Sequence, residues 1–501
     1  MFEVRHSDLA ARIGRLQTLH GVVETPAFVP VVHPVRQMVS TKFLKKMGFD
    51  LVITNAYITL RHFGDEARRR GIHDIINYDG AVMTDSGGYQ VLEYGSVEVE
   101  PAMMAQFEND IKSDISIPLD RPTGYGLEYE KAKEYVAITL KNALESLRVI
   151  DNTGAIWVAP VQGAEHFDLV EYSAKELDTM GFEMMALGSP VELMEAYEFA
   201  MLARMIVSAK RVIPAKPIHL FGAGHPLTIP LAIALGCDTF DSASYMLYAK
   251  DNRYMTPNGT VRLDELAYLS CQCPVCSSHT VQELHKMEMD KRTIEIAKHN
   301  LHILKAEVEA VKQAIMDGRL WEYVMQKARA HPKLMEAAQI IKDVEMLEEG
   351  TPLFKEKAIF FYDPIDQHRP EAKRFRKTVA TFQSSKKKKK LIICPEDEIH
   401  PLYSTTTYKN IVKKFPDAQI CSYNPFLGII PAEISDIFPA SHNLITRSSH
   451  RLEDYPTFIE SLKSFAGKFE KIVVIAPDDF IKQATKAARL NARLVDNISV
   501  L

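Results

Sequence analysis

The chain has 501 residues, a length that predicts two or three domains rather than one. Hydrophobic residues make up 46% and charged residues 25%, which is typical of a globular protein and excludes a fibrous or disordered chain. The formal net charge of −5 argues weakly against a nucleic-acid partner, because phosphate binding usually leaves a basic signature. No segment approaches the roughly 20 apolar residues of a membrane span.

The cysteines and the N-terminus favour a reducing compartment. Three of the six cysteines fall between positions 271 and 276 and the others are scattered, which is not a disulfide framework. The first residues lack the apolar core of a signal peptide. We therefore expect a cytoplasmic protein.

Up to about residue 245, short apolar runs alternate with amphipathic segments of helical spacing. Eight of these runs are candidate strands: Ala27–Val32, Leu51–Thr54, Ala81–Thr84, Ile115–Leu119, Ile156–Val161, Met184–Leu187, Ile218–Phe221 and Thr239–Phe240. Eight strands alternating with helices over roughly 250 residues predict an α/β fold of the (β/α)8 TIM-barrel type. A doubly wound sheet is the alternative, but no GxGxxG motif follows the first strand.

Polar residues and glycines directly follow the predicted strands. Asp85 follows the third strand, Asp120 the fourth and Asp241 the eighth. The strands between them are followed by an amide and by glycines: Gln162, Gly188 and Gly222. Barrel enzymes carry their chemistry at the carboxyl ends of the strands, so these residues predict an active site there. Each aspartate taken alone is also consistent with a helix cap or a turn.

The pattern changes after residue 245. Helical periodicity predicts long helices from Lys291 to about residue 317 and from Leu320 to Glu349. Beyond residue 350, strand-like runs separated by helical segments predict a smaller α/β accessory region of one or two modules: Ala358–Tyr362, Lys390–Ile393, Ala418–Ser422, Ile472–Ala476 and Leu494–Leu501. The predicted domains are residues 1–350 and 351–501.

A basic segment leads into the second of these runs. Between Glu371 and Lys390 there are nine Lys or Arg residues and one acidic residue, and the segment ends in the five lysines Lys386–Lys390. A solvated linker is one interpretation. A tether that contacts an RNA backbone is the other.

Cys271, Cys273 and Cys276 place three thiols on one tight turn that contains Pro274. Such clustering is typical of a tetrahedral Zn²⁺ site with a histidine as the fourth ligand. Four histidines are within range: His279, His285, His299 and His302. Four protein ligands leave no open position, so we predict a structural site, with three reduced core cysteines as the alternative.

Several motifs in a fixed order resemble one known family. They are Asp-Ser-Gly-Gly-Tyr-Gln at 85–90, Pro-Leu-Asp at 118–120, Val-Gln-Gly at 161–163 and Phe-Asp-Ser-Ala at 240–243, followed by the cysteine motif. Over roughly residues 1–350 this combination resembles the tRNA-guanine transglycosylases. The segment from Phe240 to Tyr254 is similar to the archaeal branch, which exchanges guanine 15 of tRNA for 7-cyano-7-deazaguanine (preQ0) on the route to archaeosine.

The resemblance implies roles for two aspartates. Asp241 is the implied nucleophile, which forms a covalent bond to ribose C1′ as in retaining glycosidases. Asp85 is the implied general acid and base, which protonates the departing guanine and later accepts a proton from the incoming base.

The resemblance also implies a binding site for a base flipped out of the tRNA. Asp120, Gln162 and the backbone at Gly188 are expected to read the edge of the base, and Tyr89 and Phe221 to stack on its faces. The remaining implied contacts are Ser86, Gly87 and Gly222 to the base or ribose, Lys250 and Arg253 to tRNA phosphates, and His299 to the zinc ion. The two aromatic residues are also consistent with a plain core, and the two cations with a solvated surface.

The resemblance implies a homodimer paired through the zinc subdomain, which we place at about residues 265–350. Archaeal members often end in a β-rich RNA-binding PUA domain, and no counterpart is evident before Leu501. Either this chain binds tRNA without that domain, or a separate PUA protein supplies it as a partner. Three alternatives are an archaeosine-synthase-like paralogue, a non-catalytic tRNA-binding subunit and a metal-dependent barrel hydrolase. The retained aspartates, and the absence of His-x-His after the first strand, weigh against them.

Overall fold

A computed structural model describes residues 2–88, 99–150, 154–383, 388–396, 401–446 and 450–497. The chain forms two compact units. Met1–Met316 with Leu320–Met346 make up the first, and Asp317–Arg319 with Leu347–Leu501 make up the second. Among the described residues, no helix combines the length and the apolar character needed to cross a membrane.

The first unit begins with a three-stranded antiparallel sheet that the sequence pattern did not predict. Its strands are β1 (Phe2–Asp8), β2 (Ala11–Thr18) and β3 (Gly21–Thr25), in the order β1-β2-β3. Leu16 and Val23 from this sheet are buried in the same apolar cluster as the barrel strands. The sheet therefore packs against the amino-terminal end of the barrel.

The predicted TIM barrel is confirmed. Its strands are β4 (Ala27–Pro30), β5 (Leu51–Asn55), β6 (Ala81–Asp85), β7 (Ile115–Ile117), β8 (Ile156–Val161), β9 (Met184–Leu187), β10 (Ile218–Leu220) and β11 (Thr239–Ser242). All paired neighbours are parallel, in the order β4-β11-β10-β9-β8-β7-β6-β5. A parallel bridge between Val31 and Ile53 closes the cylinder.

Helices follow the strands as the alternating pattern predicts. In the described part of the chain, those of the barrel are Thr41–Lys46, Ala56–Phe63, Asp65–Arg70, Ile72–Ile76, Pro101–Asp110, Tyr129–Leu147, Phe167–Thr179, Pro190–Glu195, Phe199–Val212, Ile229–Ala234 and Ser244–Lys250. The amphipathic sequence of the longer helices buries one face against the strands and leaves the other in solvent.

A hairpin and further helices complete the first unit. The hairpin pairs β12 (Arg253–Thr256) with β13 (Gly259–Arg262). The helices are Pro274–Ser278, Val281–Lys286, Met289–Met316, Leu320–Ala328 and Pro332–Ala338, with 3₁₀ turns at Leu263–Glu265 and Gln339–Asp343. Helix Met346–Gly350 contains the boundary between the two units. The prediction of one helix from Leu320 to Glu349 is wrong, because Pro332 has no amide hydrogen and starts a new helix instead.

The second unit has an α/β fold. Its strands are β14 (Ile359–Phe361), β15 (Lys390–Pro395), β16 (Ala418–Asn424), β17 (Gly428–Pro431), β18 (Asn443–Ile445), β19 (Lys471–Ile475) and β20 (Ala492–Val495). Five of them form a sheet in the order β17-β16-β15-β19-β20, with β17 antiparallel, and β14 pairs with β18. Strands β17 and β18 were not predicted.

Helices cover both faces of this sheet. They are Pro370–Thr381, Thr406–Lys414, Pro456–Ala466 and Asp479–Ala487, with 3₁₀ turns at Pro364–His368, Leu402–Ser404, Ala432–Ile434 and Leu452–Asp454. Leu391 and Ile393 on β15 belong to one apolar cluster, whereas Ile392 and Cys394 belong to another. Alternate residues of one strand therefore build two cores.

The lysine run is partly described. Lys386 and Lys387 lie outside the described residues. Lys388 pairs with Glu433 at 2.9 Å, and Lys389 pairs with Glu470 at 3.0 Å. Lys390 is the first residue of β15.

Candidate active site and metal cluster

The alternation of side chains along the barrel strands brings polar groups to the mouth of the barrel. Ala81 and Met83 on β6 belong to the buried barrel core, so the next inward position on that strand is Asp85. The same period of two on the other strands leads to four further inward residues at their carboxyl ends: Gln162, Gly188, Phe221 and Asp241.

Asp85 ends β6 with its carboxylate held by two donors. The Gly87 amide donates to Oδ1 at 3.2 Å, and Asn55 Nδ2 donates to Oδ2 at 3.4 Å. Burial, together with the negative charge of Asp241, raises the pKa of Asp85 to about 6. A carboxyl group with this pKa exchanges protons near neutral pH, as a general acid and base must.

Asp241 has one oxygen fixed and one oxygen open. The Gly222 amide donates to Oδ1 at 2.9 Å, and His219 Nε2 lies 3.1 Å from the same oxygen. A carboxylate only accepts, so the imidazole donates from Nε2 here, and its Nδ1 lies 2.8 Å from Thr239 Oγ1. Among the described residues, no hydrogen bond reaches Oδ2, which leaves this oxygen available to a substrate.

The two aspartates act on one another electrostatically. The charge of Asp241 contributes to the raised pKa of Asp85, and that of His219 opposes it. The three side chains therefore occupy one site at the end of the barrel. Such a pair of carboxyl groups in different environments is the arrangement that separates an acid from a nucleophile.

Asp120 belongs to a buried polar network. Gln162 Nε2 donates to Asp120 Oδ2 at 2.5 Å. Gln162 Oε1 accepts from the amide of Thr123 at 3.0 Å and from Ser189 Oγ at 3.0 Å, which fixes the orientation of the side-chain amide. Burial and the charge of Asp85 raise the pKa of Asp120 to about 7. An acceptor edge for a planar ligand is thus set up before any ligand binds.

Two glycines allow close approach around these carboxylates. A Cβ atom at Gly188 would lie 2.0 Å from Gln162 Nε2, so any side chain there would displace the amide. Gly222 has a φ of +66°, and a Cβ atom would lie 2.3 Å from Val191 Cγ2. The left-handed backbone at this position directs its amide toward Asp241, and glycine adopts it without strain.

Two further predicted contacts, Ser86 and Phe221, lie beside residues of the site. The hydroxyl of Ser86 is fully buried and has no hydrogen-bond partner among the described residues. Phe221 is half-buried, with its ring 4.9 Å from the imidazole of His219 in an edge-on arrangement. Tyr89, the other predicted stacking residue, lies outside the described residues.

The predicted phosphate-binding cations lie beyond β11. Lys250 is exposed at the end of helix Ser244–Lys250. Its charge contributes, after burial, Arg36 and His62, to the lowered pKa of His33, which follows β4. Arg253 pairs with Asp251 at 2.7 Å and lies over the ring of Tyr248 at 5.4 Å. Both cations therefore stand near the carboxyl end of the barrel.

A separate cluster can hold a metal ion. The ligand atoms of Cys271, Cys273, Cys276 and His299 all lie within 4.8 Å of one another. His299 Nδ1 is 3.5 Å from Cys273 Sγ and 3.3 Å from Cys276 Sγ, and its Nε2 lies 2.8 Å from the Met255 carbonyl. Because a carbonyl oxygen only accepts, Nε2 carries a hydrogen and donates it to Met255. The other nitrogen, Nδ1, faces the thiols and is the one that can ligate a metal ion. Of the four histidines within range, His299 joins the cysteines.

The long helix Met289–Met316 ties this cluster to the hairpin and to the barrel. Asn300 Oδ1 accepts from the Met255 amide at 2.9 Å, and its Nδ2 donates to the carbonyls of Tyr245 and Arg253, each at 3.2 Å. The ring of Tyr254 stacks on His299 at 3.6 Å. The cluster therefore supports the segment that carries Arg253 and follows Asp241.

Comparison with known proteins adds an independent observation. Residues 7–333 match the family described as queuine tRNA-ribosyltransferase. The chain belongs to this family. It is a family of pentosyltransferases that act on tRNA, and the match includes both aspartates and the metal cluster.

Curated relatives extend the similarity beyond the barrel. The chain is 42% identical to the tRNA-guanine(15) transglycosylase of Aeropyrum pernix over 449 residues, 88% of this chain and 86% of the relative. It is 39% identical to the enzyme of that name from Sulfolobus acidocaldarius (87% of each chain) and 40% identical to that from Archaeoglobus fulgidus (88% of this chain and 87% of the relative).

The family motifs did not point to every residue of the site. His219 and Asn55, which donate to the two aspartates, were not predicted. A signal for His219 was present, because it is the polar residue of an otherwise apolar run, two positions before Phe221 and thus on the same face of the strand. Asn55 directly follows its predicted strand, Leu51–Thr54, as Asp85 follows the predicted strand Ala81–Thr84.

Proposed function

We propose that the chain exchanges guanine 15 in the D-arm of tRNA for 7-cyano-7-deazaguanine, through a covalent aspartyl–ribosyl intermediate, in archaeosine biosynthesis. The observation that carries the proposal is the pair of carboxyl groups at the barrel mouth. Asp241 has one oxygen fixed by His219 and the Gly222 amide, and Asp85 has a pKa near neutrality. The names of the relatives supply position 15 and support the reaction class.

The reaction takes two displacement steps at ribose C1′. Asp241 Oδ2 attacks C1′ as the bond to guanine N9 breaks, and the electron pair of that bond leaves with guanine. Asp85 delivers a proton to the departing base, which leaves Asp85 ionised. The incoming base then loses a proton to Asp85 and attacks C1′ from the face that guanine has left. The bond between C1′ and Asp241 breaks, and Asp241 is released as a carboxylate. Two inversions give net retention.

Base recognition rests on the polar network and on stacking. Asp120 accepts from the N1–H and amino edge of guanine or 7-cyano-7-deazaguanine, and Gln162 and the Gly188 backbone complete that edge. Phe221 stacks on one face of the base, and Tyr89 stacks on the other. Ser86, Gly87 and Gly222 adjoin the base or ribose; the buried hydroxyl at position 86 supports this role, since a ligand would supply its missing partner.

The tRNA and the metal ion complete the proposal. Lys250 and Arg253 contact phosphates beside the flipped nucleotide, which supplies affinity without sequence reading. The ion at the cysteine cluster is Zn²⁺, since three thiolates and an imidazole are its preferred ligands in closed structural sites. This ion stabilises the segment from β12 to Met316 and takes no part in the exchange.

The organisation of the whole protein is also part of the proposal. Residues 1–350 are the transglycosylase domain, with the zinc subdomain at about 265–350, and residues 351–501 are the accessory region. The enzyme works in the cytoplasm as a homodimer, and a separate protein with a PUA domain assists tRNA binding.

The test is an exchange assay with tRNA and labelled guanine or 7-cyano-7-deazaguanine, with and without a PUA-domain protein. The unaltered chain should incorporate label at position 15, and Asp241→Asn should abolish incorporation while tRNA binding persists. Asp168→Asn, which changes an exposed barrel aspartate, is the matched control and should retain activity. Binding of tRNA without incorporation by the unaltered chain would instead indicate a non-catalytic subunit.

A further inference from the structure

A second group of metal-type ligands lies at the opposite end of the barrel. It consists of His20, in the turn between β2 and β3, His73, in helix Ile72–Ile76, and Asp114, which directly precedes β7. Their ligand atoms all lie within 4.8 Å of one another. Asp114 marks the amino-terminal end of its strand, whereas the catalytic carboxyl groups follow the carboxyl ends.

The carboxylate of this group is fixed before any ligand binds. Asp114 is fully buried, its Oδ1 accepts from the amide of His20 at 2.8 Å, and its Oδ2 accepts from the amide of Val82 at 2.9 Å. The remaining lone pair of each oxygen faces an imidazole. His20 Nδ1 lies 3.0 Å from Oδ1, and His73 Nε2 lies 2.9 Å from Oδ2.

The two imidazoles are packed together at the edge of solvent. Their ring centroids are 3.8 Å apart, and the ring planes are tilted by 32°. The side chain of His20 is 43% exposed and that of His73 is 17% exposed. Both line an open cleft of about 670 Å³, so an ion and its water ligands can reach the site.

The charges around the cleft do not prevent cation binding. Three lysines line it: Lys42, Lys45 and Lys46. Lys45 pairs with Asp50 at 3.1 Å, and Asp74 and Asp79 line the same cleft. The three aspartates Asp50, Asp74 and Asp79 therefore balance the charge of the three lysines, and Asp114 adds a further negative charge.

We propose that His20, His73 and Asp114 bind one divalent transition-metal ion of the class formed by Zn²⁺, Co²⁺ and Ni²⁺, with water from the cleft completing its coordination. Two imidazole nitrogens and one carboxylate oxygen suit these ions, whereas Mg²⁺ and Ca²⁺ prefer oxygen alone. On binding, the ion takes the place of the hydrogens between the imidazoles and the carboxylate, and each neutral imidazole then carries its hydrogen on the other ring nitrogen. The ion therefore acts as a cross-link between the N-terminal sheet, helix Ile72–Ile76 and the barrel.

The test measures Co²⁺ uptake by the full chain with its cysteine cluster already loaded with Zn²⁺. Equilibrium dialysis should give one Co²⁺ per chain, with visible absorption bands but without the near-ultraviolet thiolate-to-cobalt band that ligation by cysteine produces. His73→Gln and His20→Gln should each weaken Co²⁺ binding by at least about tenfold, and the double variant should lose it. His6→Gln, an exposed histidine of the same N-terminal sheet, should bind as the unaltered chain does.

Three results would overturn the proposal. The first is Co²⁺ uptake that persists in the double variant. The second is bound cobalt whose spectrum always shows the thiolate-to-cobalt band. The third is binding of inorganic phosphate, in place of the cation, at this site. Circular dichroism and thermal unfolding of each variant without added Co²⁺ separate lost ligands from lost folding. Exchange activity is a separate readout, since the site lies away from the barrel mouth. The double variant should exchange bases at the rate of the unaltered chain. The Co²⁺ result does not depend on whether the proposed exchange takes place at position 15.

Discussion

At the scale of single residues, the site depends on how each carboxyl group is held. Asp241 receives two hydrogen bonds on one oxygen, from a fully buried imidazole and from a backbone amide. This arrangement restricts rotation of the carboxylate and leaves the other oxygen without a hydrogen bond from the described residues. Positioning of this kind accelerates a displacement because the reacting atoms are already aligned.

His219 therefore acts as a positioning residue for Asp241. We expect His219→Ala to lower kcat for base exchange by about 10- to 100-fold with little change in KM for tRNA, because the nucleophile loses its alignment. His219→Gln should recover part of the loss, since its side-chain amide can donate from nearly the same place. Single-turnover kinetics would check this expectation. Equal losses in both variants, or a loss confined to KM, would contradict it.

The proposed contact between Asp120 and the base would make base binding dependent on pH. Its pKa is raised to about 7, mainly by burial, so the side chain is largely protonated below that pH and cannot accept from the N1–H edge of a base. The affinity for free guanine should therefore fall as the pH drops from 8 to 6. Asp120→Asn should weaken binding by about 10- to 100-fold, because a charge-assisted hydrogen bond is lost, and should flatten the pH profile. Calorimetry at several pH values measures both effects.

At the scale of elements, one helix connects the metal cluster to the active site. Helix Met289–Met316 supplies His299 to the cluster and, one residue later, Asn300 to the backbone carbonyls of Tyr245 and Arg253. Consecutive residues of a helix face directions about a quarter-turn apart. The same turn of the helix can therefore serve both the metal ion and the hairpin.

Removal of a thiol tests this connection. Cys276→Ser should lose the bound metal, lower the Tm and weaken tRNA binding, because the segment carrying Arg253 is no longer held. Binding of free guanine at the barrel mouth should change little. Ser278→Ala, an exposed neighbour on the same turn, is the matched control. Metal analysis with filter binding of tRNA gives the answer, and full metal retention by the Cys276 variant would contradict the assignment.

At the scale of the whole molecule, each of the two units has its own core and its own buried charges. In the second unit, Glu371 contacts Lys355 at 2.6 Å and Arg369 at 3.3 Å, and all three side chains are almost fully buried. Burial alone raises the pKa of Glu371, but the two cations outweigh it and hold that pKa well below its usual range. This network belongs to the accessory region and is not part of the barrel site.

Glu371→Gln should therefore affect one unit and spare the other. It removes the charge of the carboxylate that both buried cations contact, which should destabilise the second unit by about 3–5 kcal/mol. Guanine binding by the barrel should remain unchanged. Thermal unfolding followed by limited proteolysis would locate the effect, with the exposed Glu356→Gln as the control. A matching loss of guanine affinity would refute the independence of the two cores.

The sequence by itself determined the barrel strands and most of the polar residues at their ends. An apolar run of four to six residues defines a strand locally, and the alternation of its side chains assigns Asp85 and Gln162 to the inner face. The resemblance of the motifs to those of the family then implied roles for these polar residues. Strands β1, β13 and β18 escaped prediction because their half-exposed sequences carry little apolar signal. Strand β17 is buried, but only two apolar residues stand between its glycine and its proline.

Only the tertiary structure decided which distant residues meet. It directed His219 and the Gly222 amide to the same oxygen of Asp241, and it selected His299 from four histidines. It also joined Asp114 to His73 and His20 across 41 and 94 positions of the chain. The physical reason is that packing and register bring the strand ends of a closed barrel together. Both depend on all eight strands at once, so the residue at a single position does not predict which others it will meet.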